Sequence, residues 1–191
     1  MITRVTTALD FFKPAWFAEW LLKTGKREAN AISKKALKIG SRIDEIIRSG
    51  VYEAKEKDTK EVKQCLKNFN AWRARYSVQT IQPLSRITDE AIGLSGEADF
   101  YWQEKDTLID FKSSKKISPE YILQLGAYKR LGFPGQRIAV LRCDKDIDGF
   151  EFKTNEDLGM TLEQCIDAFE AAFKHYSYYK FLEGKLDVRN K

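Results

Sequence analysis

The sequence predicts an α/β domain: a central mixed sheet, mainly an antiparallel meander followed by a crossover, flanked by helices and preceded by a helical N-terminal part. Three observations predict it. Up to about residue 75, apolar residues recur at spacings of three and four; from residue 76, short β-branched and aromatic runs take over; beyond residue 117, the pattern is helix, strand, strand, helix. A chain of 191 residues suits one domain with a substantial core. It divides into a helical part over 1–75, a sheet core over 76–155 and a C-terminal helix over 156–191.

In the first part, Phe11, Ala15, Ala18 and Leu22, then Ala36, Ile39, Ile43, Ile46 and Ile47, mark helical faces, with Gly25 and Gly50 as breaks. A third helix runs from about Thr59 to Arg75, with Val62, Leu66 and Phe69 on one face. Strands are expected at Val78 to Ile81, Ala91 to Leu94, Ala98 to Trp102 and Thr107 to Lys112. Ser95-Gly96 is expected to turn between the second and third, and residues 104–106 between the third and fourth. Ser118 and Pro119 form an N-cap and first helical position for a helix reaching about Leu131. Arg137 to Arg142 suits a buried strand, Gly149 to Lys153 an edge strand, and Thr161 to Leu182 a closing helix.

Composition excludes several chemistries. The 33 Lys+Arg exceed the 28 Asp+Glu by only five charges, too few to imply a polyanionic partner by themselves. A single histidine, His175, in the closing helix, argues against sites built on paired histidines. Cys65, Cys143 and Cys165 are widely spaced and odd in number, so neither a C-x-x-C metal site nor a full disulfide framework can be drawn, and a reducing, cytoplasmic compartment is expected. Asp10, Lys13 and Glu19 interrupt the apolar patches of residues 9–22, so neither a signal peptide nor a membrane span is expected. Catalysis, if present, must rest on carboxylates and lysines.

One segment concentrates such groups. Asp110 and Lys112 stand two apart in an expected strand and therefore share a face. If that strand pairs with its predecessor as a hairpin, Asp99 comes near Asp110. Leu108, Ile109 and Phe111 surround these charges with apolar residues, and like charges in such a setting need a counter-ion. Oxygen ligands without histidine or cysteine favour Mg2+ or Mn2+. Gln124 and Tyr128, four apart, would present an amide and a phenol from one helix face. Lys115, Lys116, Lys129 and Arg130 flank this centre and are expected to contact phosphates. Tyr101 and Trp102 are expected to be buried in the sheet rather than to stack on a base.

Gly96-Glu97-Ala98-Asp99, Asp110-Phe111-Lys112-Ser113, and Gln124 with Tyr128, in that order and at those intervals, resemble the PD-(D/E)XK nuclease superfamily, in particular its RecB-type, phage-like exonuclease branch. The resemblance covers residues 90 to 145 and implies a restriction-endonuclease-like core. It further implies metal-dependent hydrolysis of DNA, on ends or single strands, in recombination, repair or phage DNA processing, in a bacterial or phage-infected cell. Asp99, Asp110 and the Phe111 carbonyl would hold Mg2+ or Mn2+; Lys112, Gln124 and Tyr128 would serve the reacting phosphate, with Ser113 in support. Upstream, Gly40-Ser41 followed by Asp44 and Glu45 resembles a helical motif of that branch in which a histidine helps to bind metal. Asp44 stands at the histidine position, and either Asp44 or Glu45 is expected to reach the metal. The opening residues 2–6, with Trp16 and Trp20, also look like the start of these proteins.

The three cysteines cannot hold the iron-sulfur cluster of some relatives, and no Walker-type loop is present, so unwinding would need a separate helicase or recombination partner. Two other readings share the same residues: a structure-selective endonuclease, and a non-catalytic DNA-binding or assembly protein with a nuclease-like fold. An acid–base enzyme on small molecules lacks any cofactor motif in its favour.

Overall fold

The computed structural model describes residues 2–13 and 15–187, with Ala15, Trp16 and Asp187 described by backbone alone. The expected contributions of the Ala15 and Trp16 side chains therefore lie outside the described residues. A two-residue strand, β1 (Thr3–Arg4), leads into α1 (Val5–Leu9) and a single 3-10 turn at Asp10–Phe12. Three longer helices follow: α2 (Ala15–Thr24), α3 (Lys26–Arg48) and α4 (Lys60–Arg75). Gly25 and Gly50 separate them as expected, with φ of 79° and 72°, values that L side chains disfavour. The Thr59 hydroxyl accepts the Val62 N–H at the start of α4, a cap worth about 1 kcal/mol.

The strands are β2 (Ile81–Pro83), β3 (Ile87–Asp89), β4 (Leu94–Gly96), β5 (Phe100–Trp102), β6 (Thr107–Lys112), β7 (Arg137–Cys143) and β8 (Phe150–Thr154). Helix α5 (Pro119–Arg130) lies between β6 and β7, and α6 (Leu162–Asp187) closes the chain. The central sheet has the order β2-β5-β6-β7-β8. Its neighbours are antiparallel except β6 and β7, whose parallel ladder α5 bridges, so meander and crossover are both present.

Two features differ from the expectation. A second sheet, β1-β4-β3, takes the strands upstream of β5 out of the meander, apart from β2. And the hairpin turn falls at residues 90–93, where a strand was expected, while Ser95 and Gly96 lie within β4. Turn chemistry decides this: the Asp89 carboxylate accepts the N–H groups of Ala91 and Ile92, and Gly93 takes a φ of 68°. Gly96 is there for closeness, because a Cβ would sit 2.8 Å from Leu131 Cδ1 and 2.9 Å from Tyr128 Cε1.

The central sheet is the middle of three layers. Ile43, Phe69, Trp72, Phe100, Trp102, Ile109 and Leu141 form the core between α3, α4 and one sheet face. Leu108, Ile138 and Val140, from the opposite face, pack with Leu94, Leu125 and Phe169 beneath α5 and α6. Because alternate residues of β6 face alternate layers, Asp110 and Lys112 share the α5 side with Leu108. Helices α5 and α6 touch through backbone: a Cβ on Gly126 would lie 2.1 Å from the Cys165 carbonyl oxygen. All three cysteines are buried and free. Among the described residues, no helix is long and apolar enough to cross a membrane.

Candidate active site

Asp99 stands one residue ahead of β5 rather than inside it. The antiparallel register pairs Phe100 with Ile109, so one further step along the ladder opposes Asp99 to Asp110. The ladder bond is not made there. The Asp99 side chain takes it instead, Oδ2 accepting the Phe111 N–H at 2.6 Å. The hairpin thus aims one carboxylate at the strand that carries the other.

Asp110 is 1% exposed, and its Oδ2 lies 2.7 Å from Lys112 Nζ. The contact is ionic but poorly directed as a hydrogen bond, and this oxygen has no hydrogen-bond partner among the described residues. Lys112 Nζ donates to Gln124 Oε1 at 3.2 Å and sits 4.9 Å from the centre of the Tyr121 ring. Gln124 in turn donates through Nε2 to the Tyr128 hydroxyl. One turn of α5 therefore grips the lysine with an amide, which the buried phenol grips from behind.

The electrostatics follow from crowding. Burial and the Asp110 charge push the Asp99 carboxyl up to about 7, against the pull of Lys112 and the Phe111 N–H. Asp110 is likewise raised by burial, with Lys112 opposing. For Lys112, burial alone would favour the neutral amine, but Asp110 and Asp99 outweigh it and hold the ammonium more firmly than usual. Burial, then the Asp110 charge, raises the Tyr128 phenol, which stays protonated. Once both carboxyls are ionised, two negative charges face one ammonium, which leaves one charge uncompensated among buried groups.

A cleft of about 570 Å3 opens onto this group. Its floor holds Asp99, Phe111 and Lys112; one wall is α3, through Ala36, Leu37, Gly40, Ser41 and Asp44; the other is Ser113, Ser114 and Tyr121, with Lys145 from the β7–β8 turn. Asp44 reaches the cleft and adds to the negative field on Asp99, but both its oxygens are held by Arg48, at 2.9 and 3.0 Å. Arg48 also donates to the carbonyls of Leu84 and Ala98, anchoring the segment that delivers Asp99.

Glu45 is not brought to this place. It pairs with Arg42 at 2.8 Å and lines a separate cavity with Asp58 and Lys57, because successive residues of a helix point about 100° apart. Lys129 and Arg130 are also elsewhere. Lys129 donates to the Phe133 carbonyl and feels Asp106, at the opposite end of β6 from Lys112, while Arg130 pairs with Glu170 of α6. Lys115 and Lys116 are exposed on the loop after β6, and Ser113 is half-buried at the cleft. Trp102 is buried, and the Tyr101 hydroxyl donates to Asp106, so neither lines the cleft. His175 lies on α6 beside Phe11 and Phe12. Arg48, Tyr121 and Lys145 are additions to the expected set. The first two were detectable, Arg48 four residues after Asp44 and Tyr121 three before Gln124 on the same helix faces; Lys145 depends on the β7–β8 turn folding back and carries no local signal.

The all-oxygen chemistry of Asp99 and Asp110, an Asp110 Oδ2 held by the Lys112 charge rather than by a directed hydrogen bond, and the negative charge present when both carboxyls are ionised fit Mg2+ or Mn2+, which keep several waters and need only one or two carboxylates. As they stand, the described residues gather no group of three or more His, Cys, Asp or Glu side chains around one point.

No family model matches the chain, and no curated protein matches it. Among solved structures, the chain is similar to the alkaline exonuclease LHK-Exo from Laribacter hongkongensis, with 17% identity and a TM-score of 0.42 over 97% of this chain and 94% of that one. The same exonuclease in complex with dAMP gives 17% identity and a TM-score of 0.41 over the same shares. A protein designated SSO0001 gives 12% identity and a TM-score of 0.34 over 73% of this chain and 70% of that one.

Proposed function

We propose that the chain is a metal-dependent deoxyribonuclease that hydrolyses phosphodiester bonds, acting as an exonuclease on DNA ends. The observation that carries this reading is the meeting of Asp99 and Lys112 at the floor of a cleft, with Asp110 buried directly behind them and its Oδ2 2.7 Å from the lysine ammonium. Keeping these charges in an apolar pocket is costly unless a ligand uses them.

Asp99 and Asp110, with the Phe111 carbonyl and Asp44, would hold Mg2+ or Mn2+; when bound, such an ion activates water and stabilises charge on the phosphate. Lys112 is the cation that faces the scissile phosphate oxygen. Asp110 keeps it protonated and Gln124 keeps it aimed, so its charge is in place before negative charge develops. Tyr128 fixes Gln124, and Tyr121 closes the side of the lysine. Hydrolysis adds the oxygen of water to phosphorus and breaks the bond to the 3′ oxygen, leaving a 5′-phosphate. Ser113 and Lys145 line the cleft, and Lys115 and Lys116 are exposed on the loop that continues from Ser113; these groups would contact flanking phosphates.

The test uses end-labelled linear DNA and covalently closed circles, each with Mg2+, Mn2+ or EDTA. Metal-dependent loss of linear DNA alone is the expected result. Cutting of circles would replace the exonuclease by an endonuclease of the same chemistry. No cutting in any metal, with unchanged DNA binding by Lys112→Ala, would leave a non-catalytic DNA-binding protein.

A further inference from the structure

Ten of the eleven glycines have an evident reason or lie far from the cleft. Seven take positive φ, where other residues are strained. Gly96 and Gly126 are required by packing, since a Cβ at either would collide with a neighbour. Gly184 sits in the exposed last turns of α6. Gly40 remains. It lies inside α3 with ordinary helical φ, and a Cβ built on it meets nothing within 4 Å. Glycine in a helix interior is destabilising relative to alanine, so this position gives up stability for no benefit to the chain's own conformation or packing.

Its location suggests the beneficiary. Gly40 lines the cleft one turn before Asp44 and one turn after Ala36 and Leu37. Leu37 is apolar yet 69% exposed, on a helix whose neighbouring surface carries Lys34, Lys35 and Lys38. From Ala36 to Ser41, ahead of Asp44, the wall is thus small, uncharged and partly apolar, beside the floor that holds Asp99 and Lys112. A phosphate reaching that floor brings its sugar against this wall.

We propose that the side chain absent at Gly40 makes room for the substrate strand, whose deoxyribose-phosphate backbone packs directly on α3 between Leu37 and Asp44. The proposal rests on the nuclease reading and adds a positioning surface to it. Gly40 sets how closely the strand approaches the carboxylates, and Leu37 supplies apolar contact to the sugar.

Three variants test it: Gly40→Ala, Gly40→Leu and Gly184→Ala. Binding is read by anisotropy of a fluorescent DNA with a single-stranded end in EDTA, cutting by its loss in Mg2+ or Mn2+, and stability by thermal melting. Both alanine variants should melt about 2–4 °C higher, as removal of a helical glycine predicts. Gly40→Ala should nevertheless bind DNA about tenfold more weakly, as overpacking of a close contact predicts, with the loss appearing in KM, and Gly40→Leu should be weaker still. Gly184→Ala should bind and cut as the parent does. A Gly40→Leu protein that binds and cuts like an active parent overturns this proposal alone, as does a Gly40→Ala protein that melts lower. A parent that neither binds nor cuts DNA overturns the proposal and the nuclease reading together.

Discussion

Lys112→Met removes the one cation at the floor of the cleft while keeping a flexible side chain of similar length. The ammonium it deletes lies 2.7 Å from Asp110, which is 1% exposed, whereas the lysine side chain itself is 20% exposed. Breaking a buried pair by removing one partner costs about 3–5 kcal/mol, and the partial exposure of Lys112 places this case near 3. For a chain of this size each kcal/mol shifts melting by about 2–4 °C, so at pH 8 in EDTA the variant should melt about 6–12 °C below the parent. At pH 5 the deficit should shrink. The Asp99 carboxyl titrates near 7 in the fold against 3.8 for its ordinary value, so the stability linked to its proton is full below about 4 and is lost as pH rises through 7. At pH 5 Asp99 is therefore mostly neutral, and one fewer charge is left without the lysine. Urea denaturation followed by circular dichroism at both pH values measures this, and added Mg2+ should recover much of the loss at pH 8. An equal loss at both pH values, or none at pH 8, would refute the claim that the carboxylates and Lys112 share one buried charge balance.

Two further outcomes are expected away from the cleft. Gly126→Ala places a Cβ 2.1 Å from the Cys165 carbonyl oxygen, where a contact of about 3.3 Å is normal, so α5 and α6 must part by roughly 1.2 Å. Overpacking against backbone at about 3 kcal/mol outweighs the helix gain of about 1, and chemical denaturation should show a net loss near 2 kcal/mol; a variant as stable as the parent contradicts the close approach. Arg42 holds the Asp58 carboxyl down to about 2, so the stability it contributes is present above 3.8 and lost as pH falls through 2. Asp58→Asn should flatten the change in urea midpoint between pH 4 and pH 2, and an acid limb as steep as the parent's would show that this pair does not contribute.

Much of the site was legible because its signals are local. Asp110 and Lys112 share a face of β6 by strand alternation alone, and that strand's bounds follow from an unbroken apolar run ending in charge. Ser118 and Pro119 announced α5 although the Ser118 side chain makes no cap bond, since proline at the first helical position needs no donor. What stayed hidden depended on partners distant in sequence. Gly96 reads as a turn residue until Tyr128 and Leu131 are seen pressed against it. Asp44 and Glu45 cannot be separated without knowing which face of α3 meets the sheet. Lys129 and Arg130 look close to Lys112 in a string of letters, but they sit at the other end of α5, where Phe133 and Glu170 claim them.

The parallel pairing of β6 with β7 has a consequence in time. Two adjacent parallel strands cannot zip from a tight turn; the intervening helix must first cross the sheet, and it settles only when α6 presents Cys165 to Gly126. A ribosome adding about 5–20 residues per second needs roughly 3–10 s to travel from Lys112 to Cys165. During that interval Asp99 and Asp110 have emerged but lack the helix that positions Lys112, and they are ordinary solvated carboxylates. The two carboxylates therefore meet Lys112 in its final place only once α6 has emerged and packed on α5.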